Sequence, residues 1–287
     1  MEKIETHIVP KTITTIRLQE YGVGLFKAYP TKSSFKKALK KNYISVNGVI
    51  ATSATFINGG ETIRLSIPEE TSIKKQLNFK LTVLFEDDYL AVIHKPAGIL
   101  VSGNHFKTIA NALVQNIKQS TLSDAAKPQP VHRLDYATTG VLLVGKTNDS
   151  IRKLNKQFEQ KNIEKIYYAV TIGHMNNEGI ISSDIDNKQS QSKYKVIKTV
   201  SSERFNKLNL VQLEPLTGRR HQLRIHLSEL GHPILGDKDY GIDHLILKGK
   251  GLYLHAYALK FKHPYTNETI YIKSKFPQRF SKIFGNI

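Results

Sequence analysis

The sequence predicts a mixed α+β fold with a largely antiparallel sheet, preceded by a small α/β module at the N-terminus. Three observations carry that expectation. Short apolar strands outnumber amphipathic stripes, they follow one another across tight turns as hairpins do, and the first 67 residues stand apart by charge. That first segment holds ten Lys and Arg against four acids. At 287 residues the chain has room for about two domains. The expected division is a basic module over 1–67, a linker over 68–79 and a larger domain over 80–287.

Taken in order, TKSSFKKALKK (31–41) sets Phe35, Ala38 and Leu39 at i, i+3 and i+4. This spacing predicts a short amphipathic helix ringed by Lys32, Lys36, Lys37, Lys40 and Lys41. Asn42 suits a left-handed end to it. Tyr43–Val46 alternates like a strand, Asn47-Gly48 signals a hairpin turn, and Asn58-Gly59-Gly60 ahead of Thr62–Leu65 suggests a second hairpin. PEETSIKKQLN, from Pro68, has charge and no periodicity, as a linker should. Further strands are expected at Leu81–Phe85, Tyr89–Ile93, Val141–Val144, Tyr167–Ile172 and Leu208–Leu213. A helix is expected over 106–118, with Phe106, Ile109, Leu113, Val114 and Ile117 on its stripe. Another begins at Ser150 as cap and buries Ile151, Leu154 and Phe158. A third runs from His221 to Leu230 and stops at Gly231. Ser120–Pro130 reads as a polar loop, and NKQSQSK (187–193) as a low-complexity segment.

Charge and composition narrow the function. A formal net charge of +18 points to a polyanionic partner, nucleic acid or an anionic membrane surface. The basic helix at 32–41 is too short to lie on a membrane. The first residues carry no signal-peptide core and no apolar run approaches a membrane span, so a soluble, cytoplasmic protein is expected. With no Cys, a disulfide framework, a thiolate zinc site and a thiol nucleophile are excluded. Gly145-Lys146-Thr147 lacks the leading glycine of a P-loop, and HExxH and GxSxG are absent. His221, His226 and His232 are spaced five and six apart, which puts the first two on different helix faces. No metal site is expected there.

Two dense segments remain. In Val131-His-Arg-Leu-Asp-Tyr-Ala-Thr-Thr-Gly140, Asp135 stands just ahead of the apolar run Val141–Val144. A carboxylate at the lip of a buried strand is held rigidly while facing a cleft. An Asx-type turn, with Asp135 bonded to its own backbone, accounts for it too. In Leu216-Thr-Gly-Arg-Arg-His-Gln-Leu-Arg-Ile-His226, three arginines and two histidines crowd the start of a helix, a phosphate-attracting arrangement. Arg224 flanks the stripe of Leu223 and Leu227, and a half-buried Arg needs an acidic partner, for which Asp135 is a candidate. A solvated basic face is the other account.

His132-Arg-Leu-Asp135, followed by Thr138-Thr-Gly140, resembles the signature of the RluA family of pseudouridine synthases. The resemblance runs from about residue 81 to 277. It takes in Glu86-Asp87-Asp88 with Leu90 to Pro96, Lys165-Ile-Tyr167-Tyr-Ala169, Thr217 to His226 with Gly231 to Asp237, Leu254-His-Ala256, and His263-Pro264. The basic first module resembles the S-four-type RNA-binding domain. Some positions depart from these patterns: Arg220 replaces a small polar residue, Thr139 a Ser, Phe35 an Arg and Glu61 an Asp, and 184–194 is short.

The resemblance implies an isomerase that detaches uracil from its ribose, turns it and rejoins it through a ring carbon. No electrons leave and no atoms are added, so neither a metal nor a nucleotide cofactor is implied. Asp135 would be the catalytic carboxylate, Arg224 its ion-pair partner and Tyr167 the residue stacked on the base. His132, Arg133, Leu134, Arg219, His221 and Gln222 would bind substrate, with Arg133 filling the space left by an extruded uridine. Lys36, Lys37 and Lys40 would hold RNA phosphates. Ribosomal or transfer RNA is the implied partner, and the protein is expected to act as a monomer. A catalytically inactive RNA-binding or ribosome assembly factor would keep the basic surface without needing Asp135, Tyr167 and Arg224 together.

Overall fold

A computed structural model describes residues 3–11, 13–68, 77–247 and 249–285. Contacts divide the chain into two compact units, Met1–Lys75 and Gln76–Ile287. Residues 69–76 of the expected linker lie outside the described residues.

The first unit comprises β1 (Lys3–Ile8), β2 (Ile16–Arg17), α1 (Leu18–Tyr21), α2 (Lys32–Lys40), β3 (Ile44–Val46), β4 (Val49–Ile50), β5 (Phe56–Ile57) and β6 (Thr62–Ile67). Helix α2 starts at a capping box between Thr31 and Ser34, and it buries Phe35, Ala38 and Leu39 as their spacing predicts. Asn42 (φ 58°) takes the left-handed backbone expected of it, and so do Asn47 (φ 49°) and Gly48 (φ 84°) in the β3–β4 hairpin. The second expected hairpin does not form. Strand β6 already has β1 on one edge and β3 on the other, so β5 pairs with β2 in a separate ribbon. Glu61 closes the Asn58–Gly60 turn by accepting from the Asn58 and Gly59 amides.

The second unit holds β7 (Thr82–Glu86), β8 (Leu90–Lys95), α3 (Ile109–Ala112), β9 (Ala125–Pro130), β10 (Thr139–Thr147), α4 (Asn148–Glu159), β11 (Glu164–Ile172), β12 (Glu178–Ile185), β13 (Lys188–Ser202), β14 (Asn206–Pro215), α5 (Gln222–Glu229), β15 (Leu254–Lys262), β16 (Thr269–Lys273) and α6 (Gln278–Phe284). Its ten strands form one sheet in the order β12-β13-β14-β11-β15-β10-β8-β7, with β16 added beside β15 and β9 beside β10. Pairing is antiparallel except for a two-residue parallel contact, Thr139 with His255 and Gly140 with Ala256. The fold is therefore the largely antiparallel α+β class that the hairpin pattern predicts. Among the described residues, no helix is long and apolar enough to cross a membrane.

Local polar groups explain where the predicted elements shift. The helix expected over 106–118 shrinks to α3 and a following 3-10 turn, leaving Phe106 and Val114 exposed. Thr108 caps it late, and the Asn116 side chain takes the Ala112 carbonyl that a longer helix would use. Thr147, not Ser150, caps α4; Ser150 is the third residue of its capping box. The expected loop 120–130 ends in β9, which tolerates Pro128 and Pro130 because it is an edge strand. The low-complexity stretch 187–193 lies in the β12–β13 hairpin, turned at Asp186 and Asn187, both with positive φ.

Two apolar clusters fill this unit. One lies around β8, β10 and α4, and the other around β11, β14, α5 and α6. Tyr167 packs against both, so the seam between them runs beneath it.

Candidate active site

Asp135 belongs to the turn that feeds β10. The Thr138 amide closes this turn on the Asp135 carbonyl at 3.1 Å, so an Asx turn through the carboxylate is not what holds it. Lys95, the last residue of β8, lies fully buried beneath. Its ammonium donates to the carbonyls of Pro96, Tyr136 and Thr138 at 3.0, 3.2 and 2.8 Å. Burial lowers the Lys95 pKa to about 8, against the pull of nearby Asp135. Three carbonyls thus tie the turn to the sheet. Gly140 (φ +123°) completes the anchor, because a Cβ there would stand 2.0 Å from the Ala256 carbonyl oxygen of β15. On this fixed lip the Asp135 carboxylate accepts no hydrogen bond from the described residues. Its Oδ1 faces His221 Nε2 at 3.8 Å.

The opposite wall is the turn 216–221 and the start of α5. Gln222 is buried and fully bonded: Oε1 accepts from Thr217 Oγ1 and the Arg219 amide, and Nε2 donates to the Gln191 carbonyl and Ser192 Oγ. Its four hydrogen-bonding positions are filled within the protein, so it shapes the turn that walls the cleft. The expected Arg224–Asp135 pair is not formed either. Arg224 instead donates from Nε and Nη2 to both oxygens of buried Asp237, at 2.7 and 2.6 Å, and to Asp239 at 2.6 Å. Asp237 wins because its carboxylate sits beside the guanidinium in a bidentate geometry, in a dry site. His226 is held between Ser190 Oγ and Ser192 Oγ, while His232 Nδ1 bonds the Ile172 carbonyl. The three histidines of this region therefore face different places, and among the described residues no cluster of acids and histidines could hold a metal ion.

Between the walls lies a cleft of about 640 Å³, lined by Asp135, Tyr167, Arg224, His132, Arg133, Leu134, Arg219, His221 and Gln222. These sequence-predicted residues thus meet in one place. Arg133 is exposed and unpaired among the described residues, whereas Leu134 is buried. His132 turns inward. Its Nε2 accepts from the Leu143 amide at 3.0 Å and its ring stacks on Phe158, so it braces the wall it lines. Burial lowers its pKa to about 3. Tyr167 forms the floor, and burial, helped by Asp135, pushes its hydroxyl well above the usual range. Lys36, Lys37 and Lys40 are not part of this cleft; they lie exposed on α2 of the first unit.

The sequence pattern of the family described as RNA pseudouridylate synthase matches residues 89–229. The chain is 31% identical over 291 residues to an uncharacterized RNA pseudouridine synthase of Aquifex aeolicus (strain VF5), with 91% of each chain covered. The chain belongs to the RluA family of RNA pseudouridine synthases. It is 30% identical to ribosomal large subunit pseudouridine synthase D of Nitrosomonas europaea, over 97% of this chain and 86% of that protein. Human RNA pseudouridylate synthase domain containing 4 superposes with a TM-score of 0.56 at 26% identity, over 69% of this chain and 90% of that one.

The sequence reading of this synthase gave no role to Lys165, which lines the cleft, nor to Lys95, Asp237 and Tyr240, which hold its walls from behind. Lys95 entered only within the family pattern from Leu90 to Pro96, although a Lys ending an apolar strand is a signal of a buried ammonium. Lys165, whose pKa burial lowers to about 8, donates to the Thr217 carbonyl at 3.2 Å and ties the floor to the second wall. Asp237 was in view only as the last residue of the Gly231–Asp237 motif, with no role given to it, and Tyr240 carries no sequence signal beyond lying close after it.

Proposed function

We propose that this synthase converts uridine to pseudouridine in large-subunit ribosomal RNA, with Asp135 as the catalytic carboxylate. The observation that carries the reading is that Asp135, half-buried in the cleft on a turn tied down by Lys95, keeps a carboxylate that accepts no hydrogen bond from the described residues. A carboxylate so held is free to engage the anomeric centre of a ribose. Ribosomal RNA is favoured because relatives matched over nearly the whole chain carry that substrate in their names.

The other cleft residues fit this chemistry. Tyr167 remains a neutral phenol at physiological pH, suited to stacking on a detached uracil and poorly suited to act as a resting base. A paired uridine must leave its stack to reach Asp135, at a cost of a few kcal/mol. Arg133, exposed and without a partner, can fill the vacated space and meet phosphates. The exposed lysines of α2 supply sequence-independent affinity.

Asp135→Asn keeps the shape and removes the charge. It is expected to abolish tritium release from RNA labelled at uridine C5 while RNA binding persists; near-normal release would overturn the assignment. Mapping pseudouridines in cells with and without the protein tests the substrate. Losses confined to transfer RNA would refute the ribosomal part alone.

A further inference from the structure

His221 has features that neither helix capping nor phosphate binding explains. It stands at the N-cap of α5, yet its side chain caps nothing. Its backbone is left-handed (φ 55°, ψ 17°), a conformation that strains a residue with a Cβ and persists only where its surroundings impose it. The ring lies edge-on to Tyr240 and spans two groups: Nδ1 bonds Tyr240 Oη at 2.9 Å, and Nε2 faces Asp135 Oδ1 at 3.8 Å.

The tautomer follows from these neighbours. If Nδ1 carried the proton, the Nε2 lone pair would point at a carboxylate. With the Tyr240 hydroxyl donating to Nδ1, Nε2 carries the proton and aims it at Asp135. Tyr240 is itself fixed. Its amide donates to Asp237 Oδ1 at 3.1 Å, and its carbonyl accepts from Ser228 Oγ at 2.8 Å. The Arg224 guanidinium holds the same Asp237 and lies 4.9 Å from the Tyr240 ring centre. Arg224 is thus linked to Asp135 through Asp237, Tyr240 and His221, and it also lies directly against the Tyr240 ring.

We infer that His221 is a positioning residue for the reaction, a neutral imidazole set by Tyr240 to hold and orient the Asp135 carboxylate. This rests on the reading of Asp135 as the catalytic carboxylate. At 3.8 Å the contact is longer than a hydrogen bond, as catalytic contacts often are before substrate closes the site. The charged and titratable groups around the ring are Asp135, Asp239, Arg220, Arg224 and Tyr240. Burial lowers the His221 pKa, Asp135 opposes, and the two arginines add to the lowering. The ring is therefore neutral at physiological pH. Protonation in acid would pair it tightly with Asp135 and withdraw the carboxylate from the sugar.

The test uses the full chain and, as probe, total cellular RNA labelled with tritium at uridine C5, taken from cells lacking the protein. His221→Asn places a residue suited to left-handed backbone but too short to reach Asp135 from Tyr240. It is expected to lower kcat about 100-fold with KM and melting temperature unchanged, the effect of a reacting group misplaced by about 1 Å. Tyr240→Phe, which frees the tautomer, should cost about tenfold. In His221→Phe the loss of kcat in acid that protonation of the ring causes should move to lower pH. Wild-type kcat and an unmoved acid limb in the His221 variants would overturn the inference. Should His221→Asn lose stability along with activity, Tyr240→Phe decides, and normal turnover there would overturn it. Asp135→Asn separates the two readings. If it is inactive while His221→Asn is normal, only the role of His221 falls; if it turns over, the reading of Asp135 falls first.

Discussion

Segment 131–140 and segment 216–226 face each other across one cleft, and they treat their charges in opposite ways. In the first, Arg133 and Asp135 have no hydrogen bond among the described residues, while backbone, Lys95 and Gly140 hold the turn in place. In the second, Gln222, Arg224 and His226 are bonded into the fold at nearly every polar atom. The difference teaches which groups remain for chemistry. A side chain whose bonding capacity the fold consumes serves geometry, and one that a rigid frame leaves unsatisfied can serve substrate.

The sharpest way to break this comparison is to remove one carboxylate from each side. Asp237→Ala would leave the buried Arg224 guanidinium with only the exposed Asp239 as acidic partner and is expected to destabilise the protein by about 3 kcal/mol or more. Asp135→Asn removes a charge with no hydrogen bond and should change stability by no more than about 0.5 kcal/mol. Both should lose turnover, but only the first should shift the urea midpoint. Equal losses of stability would mean that Asp135 is as structural as Asp237.

That contrast also marks how far the sequence could be read. Hairpin order, the α2 stripe and the turn at Asn47-Gly48 were legible because their signals are local. The failed second hairpin was not, because both edges of β6 are taken by strands distant in sequence. The cleft was legible as a set of residues. Its pairing was not: Arg224 has a candidate acid in Asp135 and a better one in Asp237, and only the folded geometry ranks them. Lys95 was given no role because its place at the end of an apolar strand signals burial without saying which carbonyls its ammonium would meet.

A second test concerns the neutral imidazoles behind the first segment. Burial lowers the pKa of His132 and of His255 to about 3, and His255 Nδ1 bonds Thr139 Oγ1 at 2.8 Å. Above pH 6.5 both are neutral whether the chain is folded or not. Between 6.5 and about 3 the unfolded chain binds protons that the folded chain refuses, so stability falls as pH falls through that window. Each histidine adds up to about 1.4 kcal/mol per pH unit to the slope. Lys95 and Lys165, both lowered to about 8, act in the alkaline window. There the unfolded chain again holds more protons, and stability should rise with pH from about 8 to 10.5. Denaturation of wild type and His255→Phe between pH 4.5 and 7 checks the acid limb, where the variant should show the shallower slope. Equal slopes would mean that His255 titrates normally in the fold.

The smallest expected effect extends the comparison to the first unit. Lys36, Lys37 and Lys40 are exposed on α2, whereas buried Lys146 pairs with Glu86 at 2.9 Å and also donates to the Asp87 carbonyl. If charges left free by the fold are those that meet RNA, the α2 lysines should count in the salt dependence of binding and Lys146 should count only in stability. Each phosphate contact contributes about 0.7 to 0.9 to the slope of log affinity against log salt, so Lys36→Ala, Lys37→Ala and Lys40→Ala combined should lower it by about 2 to 3. Their substitution leaves Phe35, Ala38 and Leu39 buried and the Thr31 cap intact, so the melting temperature should hold. Turnover at saturating RNA should hold too, because these lysines are not part of the cleft. Affinities measured from 50 to 300 mM KCl would decide the matter. An unchanged salt slope would show that free charge on α2 is there for solubility, and that the first unit meets RNA elsewhere or not at all.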